Sequence, residues 1–229
     1  MKKERAETYD SEAMNRLEYT VFSGDAEVET AVTFRPCSDE RYLQWLKEFK
    51  LKGDSNNLDE ESMEATCRLY DEIAVSMDNV EFDGDDWRVL VPVNEKIDTI
   101  NNLFAVAVFR PEKKGDGVRR LTATPSETYL TEAYFNGGVL QQTHVLKAQS
   151  IEWRKKYMQI QSKRFRKEIT RGLNRPAKVE FIPQEDKLGG LYDEMVISTS
   201  GFAGSIPLRF KTAVIQHIFE ESVAIDEKK

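Results

Sequence analysis

Leu69-Tyr70-Asp71-Glu72 and Leu191-Tyr192-Asp193-Glu194 are one tetrapeptide written twice, and the agreement runs on through Val75/Ile197 to Ser76/Ser198. Downstream of each copy stands the same spaced pattern: Pro92, Lys96, Ile100 and Phe104 after the first, Pro207, Lys211, Ile215 and Phe219 after the second. Steps of four keep side chains on one side of a helix, and proline fits the first turn because its missing N–H would have no intrahelical acceptor there. Both stretches predict Pro-led helices.

Upstream the correspondence is looser but keeps its order. Phe22-Ser23-Gly24 parallels Phe135-Asn136-Gly137, and Phe34-Arg35 with Ser38 and Glu40 parallels Leu146-Lys147 with Ser150 and Glu152. The copies are offset by roughly 112 to 122 residues, so the simplest account is a duplicated module. The expectation is an α+β fold, a tandem duplication of a small unit with a β-hairpin followed by two to three helices. Residues 1–110 form the first repeat unit, 111–126 a linker rich in Gly, Pro and charge (PEKKGDGVRRLTATPS), and 127–229 the second repeat unit.

Within a unit, alternating runs from Leu17 to Phe22 and Val28 to Phe34 predict one hairpin, and Tyr129 to Phe135 with Val139 to Leu146 predict another. Gly and Asn between the runs supply the positive φ of tight turns. Ser38 and Ser150 stand as N-caps before amphipathic helices carrying Tyr42, Trp45, Leu46 and Phe49, or Trp153, Tyr157 and Ile160. A further helix is expected from Asn57, with Glu60 completing a capping box and Met63, Cys67, Tyr70, Ala74 and Met77 on one face. Its counterpart covers about residues 185–198, and an extended segment from Trp87 to Val91 precedes the Pro-led helix.

The composition is that of a folded chain, with 40% apolar residues, three Trp, eight Tyr and twelve Phe. The charged start MKKERAETYD has no apolar run behind it, and no stretch of about 18 uncharged apolar residues occurs. A cytoplasmic protein that does not engage a membrane is expected. Cys37 and Cys67 lack the spacing of a disulfide framework or a zinc site, so two reduced structural thiols are expected. The net charge of −7 hides an asymmetry: residues 1–115 hold 15 Lys+Arg against 26 Asp+Glu, the remainder 18 against 14.

Each Asp-Glu pair invites a catalytic interpretation, since two carboxylates in different environments can serve as acid and base. Neighbouring helix residues point about 100° apart, however, so the favoured roles are capping, or pairing with Lys96 and Lys211. Tyr70, Asp71, Pro92, Lys96, Phe104, Tyr192, Asp193, Pro207, Lys211 and Phe219 are thus a structural signature. His144 and His217 have no local partners at metal-ligand or triad spacing. Gly201-Phe202-Ala203-Gly204 lacks the Lys-Ser/Thr of a phosphate loop and is expected to be a turn. No catalytic set, metal site or cofactor motif emerges.

The most distinctive charge feature is basic. Arg154, Lys155, Lys156, Lys163, Arg164, Arg166, Lys167 and Arg171 face one acid, Glu168, on what the spacing predicts as a single helix over 154–171. Interleaved Trp153, Tyr157 and Phe165 would allow a nucleic-acid-associated adaptor, whose footprint is electrostatic. The aromatics fall on the core-facing side and the chain is acidic overall, which favours a protein partner. A second candidate for that basic surface is the acidic stretch Glu81 to Asp86 of the same or a neighbouring molecule, hence self-association.

Taken together, "FRPCSDERYLQW" (34–45), "LYDEIAVS" (69–76) and "VPVNEKIDTINNLFAVAVF" (91–109) resemble small proteins encoded among the tail genes of tailed bacteriophages and prophages, of the tail-assembly chaperone type. The resemblance implies a cytoplasmic, non-enzymatic protein that binds the tape-measure protein or another tail subunit. The doubled unit and its basic stretch depart from the usual short acidic pattern of that type, which leaves a minor virion structural protein as the alternative.

Overall fold

The first hairpin forms where polar and apolar residues alternate: β1 (Asn15–Ser23) pairs antiparallel with β2 (Ala26–Phe34), and Leu17, Val32 and Phe34 are buried on its inner face. The computed structural model describes residues 8–23, 26–48, 60–111, 125–168 and 178–224. Ser38 caps α1 (Asp39–Glu48), its hydroxyl accepting from Arg41 N at 3.2 Å. α2 (Glu60–Ile73) follows, then β3 (Ala74–Asp78), which adds to the free side of β2. A single 3-10 turn (Trp87–Leu90), capped by the Asp86 carboxylate, leads to α3 (Val93–Phe104).

The second hairpin joins β5 (Ser126–Phe135) to β6 (Gly138–Lys147) through Asn136 (φ 49°) and Gly137 (φ 79°), the paired left-handed residues of a two-residue hairpin turn. β4 (Ala107–Phe109), at the end of the predicted first unit, pairs with β5. Beyond β6 come α4 (Ile151–Gln161), a small hairpin of β7 (Phe165–Glu168) and β8 (Lys178–Phe181), α5 (Glu185–Met195), β9 (Val196–Ser200) and α6 (Leu208–Ala224). The protein is a mixed α+β fold with sheet orders β1-β2-β3 and β4-β5-β6-β9, all pairs antiparallel.

The outer strands dock alike. Val32 faces Met77 and Phe34 faces Ala74, with a register shift between Thr33 and Phe34. His144 faces Thr199 and Leu146 faces Val196, with a shift between Val145 and Leu146. Each outer strand then leaves the sheet through a positive φ, at Asn79 (60°) and Gly201 (89°).

Several expected boundaries are corrected. The helix predicted through Met77 ends at Ile73, because Ala74–Asp78 finds backbone partners on β2; likewise α5 stops at Met195 where β9 begins. The expected extended segment from Trp87 is helical instead, held by Asp86 accepting from Arg88 N at 3.1 Å. Pro92 is the N-cap rather than the first helical residue, its carbonyl accepting from Lys96 N at 3.0 Å. The Asn57 cap, Phe49, Gly24-Asp25 and residues 112–124 of the predicted linker lie outside the described residues.

Each sheet carries its helices on one face, and a core forms between them. Phe34, Trp45, Leu69, Tyr70, Ile100 and Phe104 are among the first core; Leu146, Tyr157, Leu188, Tyr192, Ile215 and Phe219 are among the second. Trp45 of α1 lies 5.4 Å from Phe104 of α3, and Tyr157 of α4 lies 4.7 Å from Phe219 of α6, ring centre to ring centre. The halves are joined by Tyr9, which packs among Phe135, Phe202 and Phe210 and bonds by its backbone to Gly201 O (2.8 Å) and Ala203 N (2.9 Å). Among the described residues no helix is long and apolar enough to cross a membrane.

Candidate protein-interaction surfaces

The repeated tetrapeptide acts as a bracket. On α2, Leu69 and Tyr70 enter the core while Asp71 turns to α3, where Lys96 Nζ lies 2.6 Å away over the Tyr70 ring. Glu72 reaches instead to Arg41 of α1 at 2.8 Å. On α5 the same division recurs: Asp193 pairs with Lys211 of α6 at 2.8 Å and Glu194 with Lys156 of α4 at 2.6 Å. The Lys156 hydrogen bond holds the Glu194 carboxyl below its usual range. Since each carboxylate serves a different helix, neither Asp-Glu pair converges on a common point, as acid–base catalysis on one substrate requires.

His144 is fully buried on β6. Its ring nitrogens contact Tyr192 Oη (2.6 Å) and Thr131 Oγ1 (2.9 Å), and Thr131 meets Gln142 at 2.9 Å. Burial pushes its pKa down to about 4, so the ring is neutral at pH 7. His217 lies edge-on to Tyr129, 6.0 Å between ring centres. Cys37 and Cys67 are free thiols, Cys37 pushed up to about 11 by burial and Cys67 raised by the same cause. Among the described residues no group of three His, Cys, Asp or Glu is placed to hold a metal ion.

The basic stretch is not one helix. α4 stops at Gln161, Lys163 and Arg164 form a turn, and the chain then runs extended as β7 beside β8. The cations therefore do not share a helical face. Arg164 turns inward to Glu185 at 2.5 Å, both side chains largely buried, and Lys156 is committed to Glu194. Arg154, Lys155 and Lys163 make no ion pair among the described residues. The side chains of Arg166 and Lys167 lie outside what the structure describes, and so does Arg171 altogether.

Two surfaces combine unpartnered charge with exposed apolar side chains. On the connection from β3 to α3, Val89 is 72% exposed and Leu90 56%, and Val80, Phe82 and Val93 are exposed with them. Glu81, Asp83 and Asp85 lie on the same connection and make no ion pair among the described residues. On α4, Ile151 is 77% exposed and Met158 63%; with Lys155 they occupy positions i, i+4 and i+7 of one outward face. The sequence shows the acids and the cations but not these apolar companions, because apolar residues are expected inside until coordinates place them outside.

Among the hollows lined by the described residues, two lie between elements of both halves. A groove of about 790 Å³ between β1, α3 and β5 is walled by Tyr19, Glu95, Asp98, Glu132 and Tyr134, among others. A cavity of about 340 Å³ between the halves is walled by residues including Tyr9, Tyr42, Phe104 and Arg209. Neither is lined by Tyr70, Asp71 or Lys96. Compared with protein-family models, curated proteins and solved structures, the chain matches none.

Proposed function

We propose that this chain is a tandem duplication of one α+β unit. In this reading it works as a non-enzymatic, protein-binding assembly factor of the tail-assembly chaperone type, or as a minor structural protein of a phage-like particle. The observation that carries the binding role is the run of exposed apolar side chains Val80, Phe82, Val89, Leu90 and Val93 along one segment, since exposed apolar surface concentrated in one place marks protein contacts. The sequence resemblance around 34–45, 69–76 and 91–109 supports the particle context.

Duplication is supported by features that chance would not align: the matching register shifts beside Phe34 and Leu146, the Asp71–Lys96 and Asp193–Lys211 pairs, and the ring contacts of Phe104 and Phe219. The non-enzymatic reading is supported by the commitment of each carboxylate of the tetrapeptides to its own cation and by the enclosure of His144 as a neutral ring.

The test is co-purification from a phage-producing lysate. A tagged chain is expected to retain a long coiled-coil tail protein, and the Val89→Glu/Leu90→Glu chain to lose it. Recovery of the unaltered chain without any particle subunit overturns the proposal. Mass spectrometry of mature particles against the free cell fraction then separates the two roles, because a chaperone leaves the particle and a structural protein stays.

A further inference from the structure

We propose that the acidic apolar surface on Val80–Val93 of one copy binds the basic apolar face of α4 on a second copy, joining chains head to tail. The inference rests on Val80–Val93 being an interface and gives it a second occupant, a copy of the chain itself, which competes there with the tail protein.

Each surface holds what the other lacks. Val89, Leu90 and Phe82 sit among Glu81, Asp83 and Asp85; Ile151 and Met158 sit beside Arg154 and Lys155. None of these five charges has an ion-pair partner among the described residues, and no ion pair joins the two surfaces within a chain. Apolar area supplies attraction, and opposite potentials set the orientation.

Like surfaces cannot pair in this scheme. An acidic connection facing another acidic connection brings carboxylates together, and two α4 faces bring cations together, and like charges repel in a desolvated interface. The contact is therefore heterologous: each chain keeps one unused surface of each kind after binding a neighbour. Such contacts continue until a ring closes or a filament grows.

The decisive experiment uses purified full-length chains and light scattering over a concentration series, at low salt and at about 0.5 M salt, where surface charges are screened within a few ångströms. The unaltered chain is expected to form assemblies larger than a dimer that shrink as salt rises. Val89→Lys/Leu90→Lys removes one surface, replacing its apolar contacts with charge of the same sign as α4, and Ile151→Glu/Met158→Glu removes the other. All four positions are exposed, so circular dichroism should be unchanged for both variants. Each variant alone is expected to stay monomeric, with association weakened about tenfold or more. Mixed in equal amounts the two should form a dimer and nothing larger, since the mixture holds one intact surface of each kind.

An unaltered chain that stays monomeric at every concentration overturns the inference, as does assembly that survives both variants or a mixture that fails to dimerise. If the monomer still captures the tail protein through Val89 and Leu90, the proposed function stands and self-assembly falls. If chains assemble but capture fails, the reverse holds.

Discussion

Enclosed by Thr131, Tyr192 and the ring of Phe202, His144 is held neutral because charging it would strand an imidazolium away from water. Its folded pKa of about 4 lies below the unfolded value near 6.5. Between those values the unfolded chain binds a proton that the folded chain does not. The stability contributed by keeping His144 neutral is thus complete above about pH 6.5 and is lost as pH falls toward 4, by about 3 kcal/mol in all. Thermal unfolding at pH 7 and pH 5 should show His144→Gln less stable than the unaltered protein at pH 7, with the gap narrowing at pH 5. A gap of constant size would refute this. Gly201 poses a steric question at the same scale: a Cβ there would lie 2.9 Å from the Gln141 carbonyl and 3.0 Å from Gln142 Cα, at a φ of 89°. Gly201→Ala should lower the free energy of unfolding in urea by about 2 kcal/mol or more, and an unchanged midpoint would contradict that close approach.

At the scale of elements, Asp39 serves two helices. It stands in the first turn of α1, and its carboxylate accepts a hydrogen bond from Leu208 N, at 2.9 Å, where α6 begins. A carboxylate beside two helix N-termini satisfies an orphan donor and complements both dipoles. Asp39→Ala should cost about 1 kcal/mol by chemical denaturation, and Asp39→Asn, which keeps the acceptor, about half as much or less. Equal losses would assign the effect to something other than the hydrogen bond. Hairpins, Ser caps and the Pro-led helices were legible because each depends on a few neighbouring residues: Asn136-Gly137 dictates its turn, and Ser150 its cap. The ends of α2, α5 and α4 were not. Ala74-Val75-Ser76-Met77 satisfies both a helical and an alternating pattern, and its choice depends on β2, some forty residues earlier in the chain. Phe165–Glu168 similarly leaves the helical pattern to pair with Lys178–Phe181, a partner that no local spacing reveals. The exposed Val89 and Leu90 were hidden for the complementary reason: exposure is a property of the assembled surface.

Over the whole molecule, the two halves meet through an aromatic cluster with a cation at its centre. The Arg209 guanidinium lies 5.4 Å from the ring centre of Tyr9, 5.1 Å from that of Phe104 and 5.5 Å from that of Phe210, and it donates to the Tyr9 hydroxyl. Phe104 belongs to the first core and Phe210 to the aromatic cluster around Tyr9, so one side chain bridges residues of both halves. The halves are therefore expected to melt in one transition. Tyr9→Ala should lower stability by about 3 kcal/mol, and Arg209→Ala should broaden the calorimetric transition or split it in two. Retention of a single sharp transition in both variants would show that the halves are coupled elsewhere.

Tyr9 is bonded on both sides of Phe202, nearly the whole length of the chain away. On a ribosome, the segment bearing Tyr9 can stack on Phe135 early but must wait until Ala203 has emerged before both of its backbone bonds can close. Nascent chains halted before Phe202 should accordingly leave the backbone around Tyr9 open to protease, and those released past Phe210 should not; early protection in the shorter chains would mean that Tyr9 finds another resting place first.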